Sequence, residues 1–221
     1  MPSAEREWSL QKRLTSSWLE RDLVMLNDEL FFLAAWEVMT NFKVNDARRH
    51  WAHPSIDFVF LDRGGRMVLL ELKREVRTPR DAWSVLCQVT HRAHALAAHF
   101  SHAKLEDVYF DCHAGMDGRA SPAVSVAPLV EAHARAFRQP PLSELPGLPV
   151  RRFVMAKEYG PALVGALASM NNDTEQQVKA TLSRYKLRGE IKRYLELPED
   201  PQAVGSAIQA VTVNGATWPP S

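Results

Sequence analysis

Apolar positions in the first forty residues recur at helical spacing. The run "WLERDLVMLNDELFFLAAWEVM" (residues 18–39), with Thr15 or Ser16 as its cap, predicts one long buried helix with a break near Asn27. Residues 41–54 carry Asn, Asp, Arg and His without periodicity and predict a loop or short strand. "IDFVFLDRGGRMVLLELKR" (56–74) is two apolar runs around a Gly-Gly pair, the pattern of a β-hairpin. Thr78 as cap and Pro79 at the first helical position open a helix running to about Phe100. A strand at "DVYFDCHA" (107–114), a helix at "PLVEAHARAF" (128–137) and a proline-rich connection at 138–149 follow. Beyond these come a strand at "VRRFVMAK", a helix at "PALVGALASM", and a helix at "DTEQQVKATLSRYKL" capped by Asp173 or Thr174. A loosely attached tail is expected after these. The sum is an α/β fold: a mixed sheet with a central hairpin flanked by helices. One domain over 1–170 is expected, with a mostly helical C-terminal extension over 171–221.

The hairpin carries three charges where burial is expected: Asp57, Glu71 and Lys73. If its turn is centred on Gly64, residues whose numbers sum to 128 face each other, and Asp57 and Glu71 are such a pair. Opposed residues on antiparallel strands hold their Cβ atoms roughly 4.5–5.5 Å apart. Lys73 follows Glu71 by two and shares its face. The register requires a three-residue loop, Arg63-Gly64-Gly65, with glycine at positive φ; a two-residue Gly-Gly turn would send Asp57 to the other face. Two carboxylates side by side among Phe58, Val59, Leu69, Leu70 and Leu72 are unfavourable unless neutralised. A hard divalent cation, Mg²⁺ or Mn²⁺, neutralises them with few carboxylate oxygens and keeps the rest of its shell for water or phosphate. Lys73 would then orient a nucleophile or a developing anion, which is the chemistry of phosphodiester hydrolysis.

Composition and charge narrow the setting. The chain of 221 residues is 46% hydrophobic and 24% charged, an ordinary globular balance with no apolar run long enough for a transmembrane helix. The start, "MPSAEREWSLQKR", has no apolar segment and does not predict a signal peptide, so a cytoplasmic protein with no membrane partner is expected. Cys87 and Cys112 lack paired spacing and are expected as reduced core thiols. A net charge of +1 gives no bulk attraction to nucleic acid, although basic residues cluster at 47–50, 73–80 and 184–193. No Gly-rich phosphate loop with lysine is present, so no nucleotide-driven motor is inferred.

Asp57, then Glu71-Leu72-Lys73, on a hairpin between helices resembles the core of the PD-(D/E)xK nuclease superfamily, which includes restriction endonucleases and RecB-like and NucS-like enzymes. Pro54, three residues before the aspartate, echoes the proline half of that signature. The resemblance covers roughly 15–115, more loosely 150–170, and implies a restriction endonuclease-like fold and a metal-dependent nuclease. Asp57, Glu71 and the carbonyl of Leu72 would hold Mg²⁺ or Mn²⁺, Lys73 would position water, and Gln88 on the next helix would support the site. For the acid that this family places on its first helix, Glu20 is the choice because it opens the predicted helix, with Glu29 and Glu37 as alternatives. RecB-like members carry a tyrosine four residues after the glutamine; Arg92 stands there, which sets the chain apart from that subgroup. The implied partner is nucleic acid, DNA before RNA, with a homodimer or a partner subunit as arrangements seen among such nucleases. The rival expectation is a non-catalytic nucleic-acid-binding or scaffold protein that keeps the fold.

Other constellations point less clearly to chemistry. A second acid-x-lysine triplet, Glu190-Ile191-Lys192, lies in a polar segment with no aspartate fourteen residues earlier and is expected as a solvated charge pair. His91, His94, His99 and His102 follow one helix and its end without a cysteine pair and are expected as solvated or substrate-facing, not zinc-binding. His53 lies four residues before Asp57, within reach of a phosphate.

Overall fold

The computed structural model describes residues 7–39, 55–76, 78–100, 109–110, 124–143, 149–170, 176–177, 179–180 and 194–197. These form helices α1 (Glu7–Leu19), α2 (Pro79–Phe100), α3 (Val126–Phe137) and α4 (Pro161–Met170). The strands are β1 (Val24–Leu26), β2 (Glu29–Met39), β3 (Ser55–Leu61), β4 (Met67–Val76), β5 (Tyr109–Phe110), β6 (Val124–Ser125), β7 (Arg151–Tyr159) and β8 (Tyr194–Leu197). Six strands are hydrogen-bonded neighbours in the order β1-β2-β3-β4-β7-β8, and β5 pairs with β6. The fold is mixed α/β, as the sequence predicts. No helix among the described residues is long and apolar enough to cross a membrane.

The first expectation fails. Instead of one long helix from Thr15, α1 ends at Leu19 and the chain turns back as a hairpin of β1 and β2, in the register Val24↔Phe31, Met25↔Leu30, Leu26↔Glu29. Asn27 and Asp28 form its two-residue turn at φ 50° and 62°, the type I′ geometry that matches strand twist. The false helical signal has a physical source. Between Leu33 and Ala35 the β2–β3 register shifts by one, a bulge that reverses the facing of every later residue. The buried residues of β2 therefore fall at Phe31, Ala34, Ala35 and Val38, the i, i+3, i+4, i+7 spacing of a helix face.

Contacts divide the chain into two compact units. In the unit of Trp8–Leu70 and His91–Arg151, β1, β2, β3 and the start of β4 are antiparallel neighbours. Trp18 of α1 lies edge-on to Phe58 and Phe60 of β3, with ring centroids 4.8 and 5.5 Å away, and Phe31 meets Phe60 at 6.4 Å. These four rings are wholly or almost wholly buried. Rings of this size are worth several kcal/mol each when buried, so this cluster anchors α1 to the sheet.

The other unit contains Glu71–Thr90 and Arg152–Ser221. Its helix α2 opens with the predicted cap: Thr78 Oγ1 accepts from the Asp81 amide at 3.2 Å, and the Asp81 carboxylate accepts from Thr78 N at 3.1 Å. The Gly160 amide donates to the Val76 carbonyl at 2.6 Å, so the ends of β4 and β7 lie side by side and these strands run in the same direction. β8 falls in the extension expected to be mostly helical but is a strand in antiparallel register with β7, Arg152↔Leu197 through Met155↔Tyr194. Residues 176–177 and 179–180 are helical, in keeping with the expected helix at 173–187. The rest of 171–221, the Asn41–Pro54 segment and most of 107–114 lie outside the described residues.

Candidate functional site

The β3–β4 turn is the three-residue loop that the candidate chemistry requires. The Asp62 amide donates to the Arg66 carbonyl at 3.0 Å, closing the loop Arg63-Gly64-Gly65, and the Gly65 amide donates back to the Asp62 carbonyl at 2.9 Å. Gly65 takes φ 81°, a left-handed conformation that a side chain would strain. The register that follows is Leu61↔Met67, Phe60↔Val68, Val59↔Leu69 and Phe58↔Leu70, each pair summing to 128 as predicted.

This turn is also braced from outside the hairpin, which sequence reasoning missed. His133 of α3, with no exposed surface, places Nε2 2.8 Å from the Asp62 carbonyl. A carbonyl only accepts, so Nε2 carries the proton. Gln139 donates its side-chain amide to the Arg63 carbonyl at 2.9 Å. The Asp62 carboxylate accepts from Arg66 N at 2.9 Å and Arg66 Nε at 3.1 Å, and lies 3.5 Å from Arg151. Arg151 in turn grips Glu29 in a fork, at 2.8 and 2.7 Å, over the ring of Phe31. The available signal was a histidine at an apolar position of α3 and an aspartate opening a glycine turn, both of which pattern alone treats as surface.

Asp57, half-buried on β3, shares the face of Val59 and Leu61, opposite to the face that Trp18 covers through Phe58 and Phe60. Gln11 of α1 directs its amide at the Asp57 backbone carbonyl, 3.5 Å away. The pairs Trp36↔Phe58 and Val38↔Ile56 flank Glu37, which therefore stands across from Asp57 on β2; Glu37 has φ 52°, a strained value for a non-glycine residue in mid-strand. Glu20 does not open a helix. It is exposed, one residue past the end of α1, so the helical context behind its choice is absent. Glu29, the other alternative, is held by Arg151.

In the second unit, Glu71 and Lys73 form an ion pair of 2.8 Å, with side chains 1% and 21% exposed. Leu72 between them is fully buried. Gln88 lies on α2 as predicted, half-buried, and its amide oxygen is buried with no hydrogen-bond partner among the described residues. On the same helix, burial pushes the Cys87 thiol above its ordinary value, which keeps it protonated at neutral pH and unsuited to nucleophilic chemistry. Cys112, His53 and His102, the Glu190-Lys192 triplet, and the side chains of His91, His94 and His99 lie outside what is described. Among the described residues no group of three or more His, Cys, Asp or Glu side chains converges as a metal site.

Comparison of the chain with family models, with curated proteins and with solved structures finds no match.

Proposed function

We propose that the protein is a metal-dependent nuclease of the PD-(D/E)xK type, acting on DNA before RNA. The observation that carries this reading is the β3–β4 register, in which every pair sums to 128 around a three-residue glycine turn. The observed pairs end at Phe58↔Leu70; the same arithmetic extended by one step gives Asp57 and Glu71, the two acids that the resemblance requires to be opposed. A carboxylate as buried as Glu71 costs several kcal/mol to desolvate, and a bound cation would offset that cost together with the Lys73 ammonium. Two carboxylates and the Leu72 carbonyl are hard oxygen donors and fit Mg²⁺ or Mn²⁺. Such an ion, when bound, supplies an acidified water and charge stabilisation at a phosphoryl oxygen.

The chain's own residues have separable roles in this proposal. Asp57 and Glu71 supply negative charge, and Lys73, partly exposed, orients the attacking water and steadies the developing oxyanion. Gln88 brings an amide whose oxygen lacks a protein partner among the described residues. Of the three acids weighed for the outer position, the β2–β3 register favours Glu37, across from Asp57, over Glu20 and Glu29.

The 2.8 Å Lys73–Glu71 pair also favours a second reading, a non-catalytic nucleic-acid-binding protein in which the acid is neutralised by its own lysine. Incubating the full chain with Mg²⁺ or Mn²⁺ and linear, circular, branched and single-stranded DNA separates the two. Cleavage by wild type that falls about 10²- to 10³-fold in Lys73→Ala is expected. Identical behaviour of the two proteins would exclude catalysis here, and a chain inert alone but active with a partner would make it a subunit of a larger nuclease.

A further inference from the structure

We infer that the C-terminal end of α3 and the tip of the β3–β4 hairpin form a binding surface for the phosphodiester backbone of nucleic acid. The two elements are joined by the Gln139–Arg63 hydrogen bond of 2.9 Å. Beside that bond lies a cleft of about 570 Å³, walled by Arg135, Arg138 and Glu131, with Ala134, Pro140 and Pro141 as its apolar floor. The cleft is shallow and open to solvent, a shape suited to one side of an extended polymer backbone and not to an enclosed small ligand. Arg63, Arg135 and Arg138 are all exposed, and none has a side-chain hydrogen bond or ion pair among the described residues. The neighbouring Arg66 and Arg151 are instead committed to Asp62 and Glu29.

Structural duty accounts for only one of the three. Arg135 lies in the last turn of α3, where a cation offsets the helix dipole. The carbonyls of that turn are already capped, with the Arg138 amide on Arg135 O at 3.2 Å and the Gln139 amide on Ala134 O at 3.0 Å. Arg138 lies beyond the helix at φ 54°, and Arg63 is on a different element. Two unpaired guanidinium groups line the cleft against one carboxylate, and the exposed Arg63 stands on the turn that Gln139 joins to it, which concentrates positive charge here on a chain of net charge +1. Guanidinium groups suit phosphate oxygens, and an apolar floor of alanine and prolines accepts the face of a sugar or base. The inference takes only the class of polyanion from the nuclease reading and needs no metal.

The test is binding of a fluorescent single-stranded oligonucleotide to the full chain in EDTA, across a salt series. The triple variant Arg63→Gln, Arg135→Gln, Arg138→Gln is expected to keep its melting temperature, because all three groups are exposed. It is expected to bind about a hundredfold more weakly at low salt, with the slope of log affinity against log salt reduced by about 2, as for three lost phosphate contacts to a single strand. Glu131→Gln is expected to tighten binding a few-fold. Unchanged affinity and slope in the folded triple variant would overturn the inference, as would a poly-glutamate peptide that displaces the oligonucleotide at equal charge concentration. Arginine-dependent binding by a chain that never cleaves leaves this inference standing and removes the nuclease reading. Lys73-dependent cleavage with arginine-independent binding does the reverse.

Discussion

The two hairpins of the first unit solve the same problem with unequal support. The β1–β2 turn, Asn27-Asp28, puts two non-glycine residues at positive φ, has around it the exposed side chains of Met25 and Leu30, and is tied to β7 through the Glu29–Arg151 pair. The β3–β4 turn uses glycine where φ is positive and is held from α3 and β7: His133 on the Asp62 carbonyl, Gln139 on the Arg63 carbonyl, Arg151 near the Asp62 carboxylate. A slip of one residue in the first hairpin would disturb one short edge pairing. A slip in the second would move Asp57 to the other face of its strand. The hairpin whose register matters to the proposed chemistry is thus the one over-determined by long-range contacts.

The largest expected effect comes from breaking that register directly. Deleting Gly64 leaves a two-residue loop, and metal-dependent cleavage is expected to fall to background, read by the same DNA assay that tests Lys73→Ala. Next is the brace. His133→Ala removes a fully buried ring and leaves the Asp62 carbonyl with one donor fewer, and should destabilise by about 3 kcal/mol in urea unfolding. Met25→Ala, at a half-exposed position of the β1–β2 hairpin, should change stability by no more than about 0.5 kcal/mol. Equal losses from the two would remove the contrast.

The turns themselves give the smallest and most specific effects, of opposite sign. Gly65→Ala should cost about 1–2 kcal/mol, because φ 81° is left-handed. Gly64→Ala is its control: an added Cβ would lie 3.5 Å from Asp62 Oδ1, an ordinary contact, so a change within about 0.5 kcal/mol is expected. In the first hairpin glycine should help: Asp28→Gly relieves a residue at φ 62° and should raise stability by about 0.5 kcal/mol. Thermal unfolding of the three variants checks all three signs.

The same contrast explains what the residues disclosed. The β3–β4 hairpin was legible because its turn is written in glycine, the residue that announces positive φ, and because loop length then fixes register by arithmetic. The cap and extent of α2 were legible through Thr78 and Pro79, and α4 through its apolar run. β1 and β2 were not, for two local reasons: Asn27-Asp28 turns without glycine, and the bulge after Leu33 rearranges the buried positions of β2 into helical spacing. β8 escaped because four residues carry too little pattern to stand out. Of the candidate site, the shared face of Glu71 and Lys73 followed from strand alternation, and Gln88 came from the resemblance and lies on the predicted helix. Glu20 depended on the misread helix, and the brace from His133 and Arg151 joins residues more than seventy positions apart, a relation no local pattern carries.

The central claim is that Asp57 and Glu71 share one cation beside Lys73. A crystal soaked in Mn²⁺ and measured at the manganese absorption edge tests it most directly. An anomalous peak within coordination distance of both carboxylates and the Leu72 carbonyl is the expected result. Manganese bound elsewhere, or no peak near Glu71 in crystals of a protein that cleaves DNA with that metal, would contradict it.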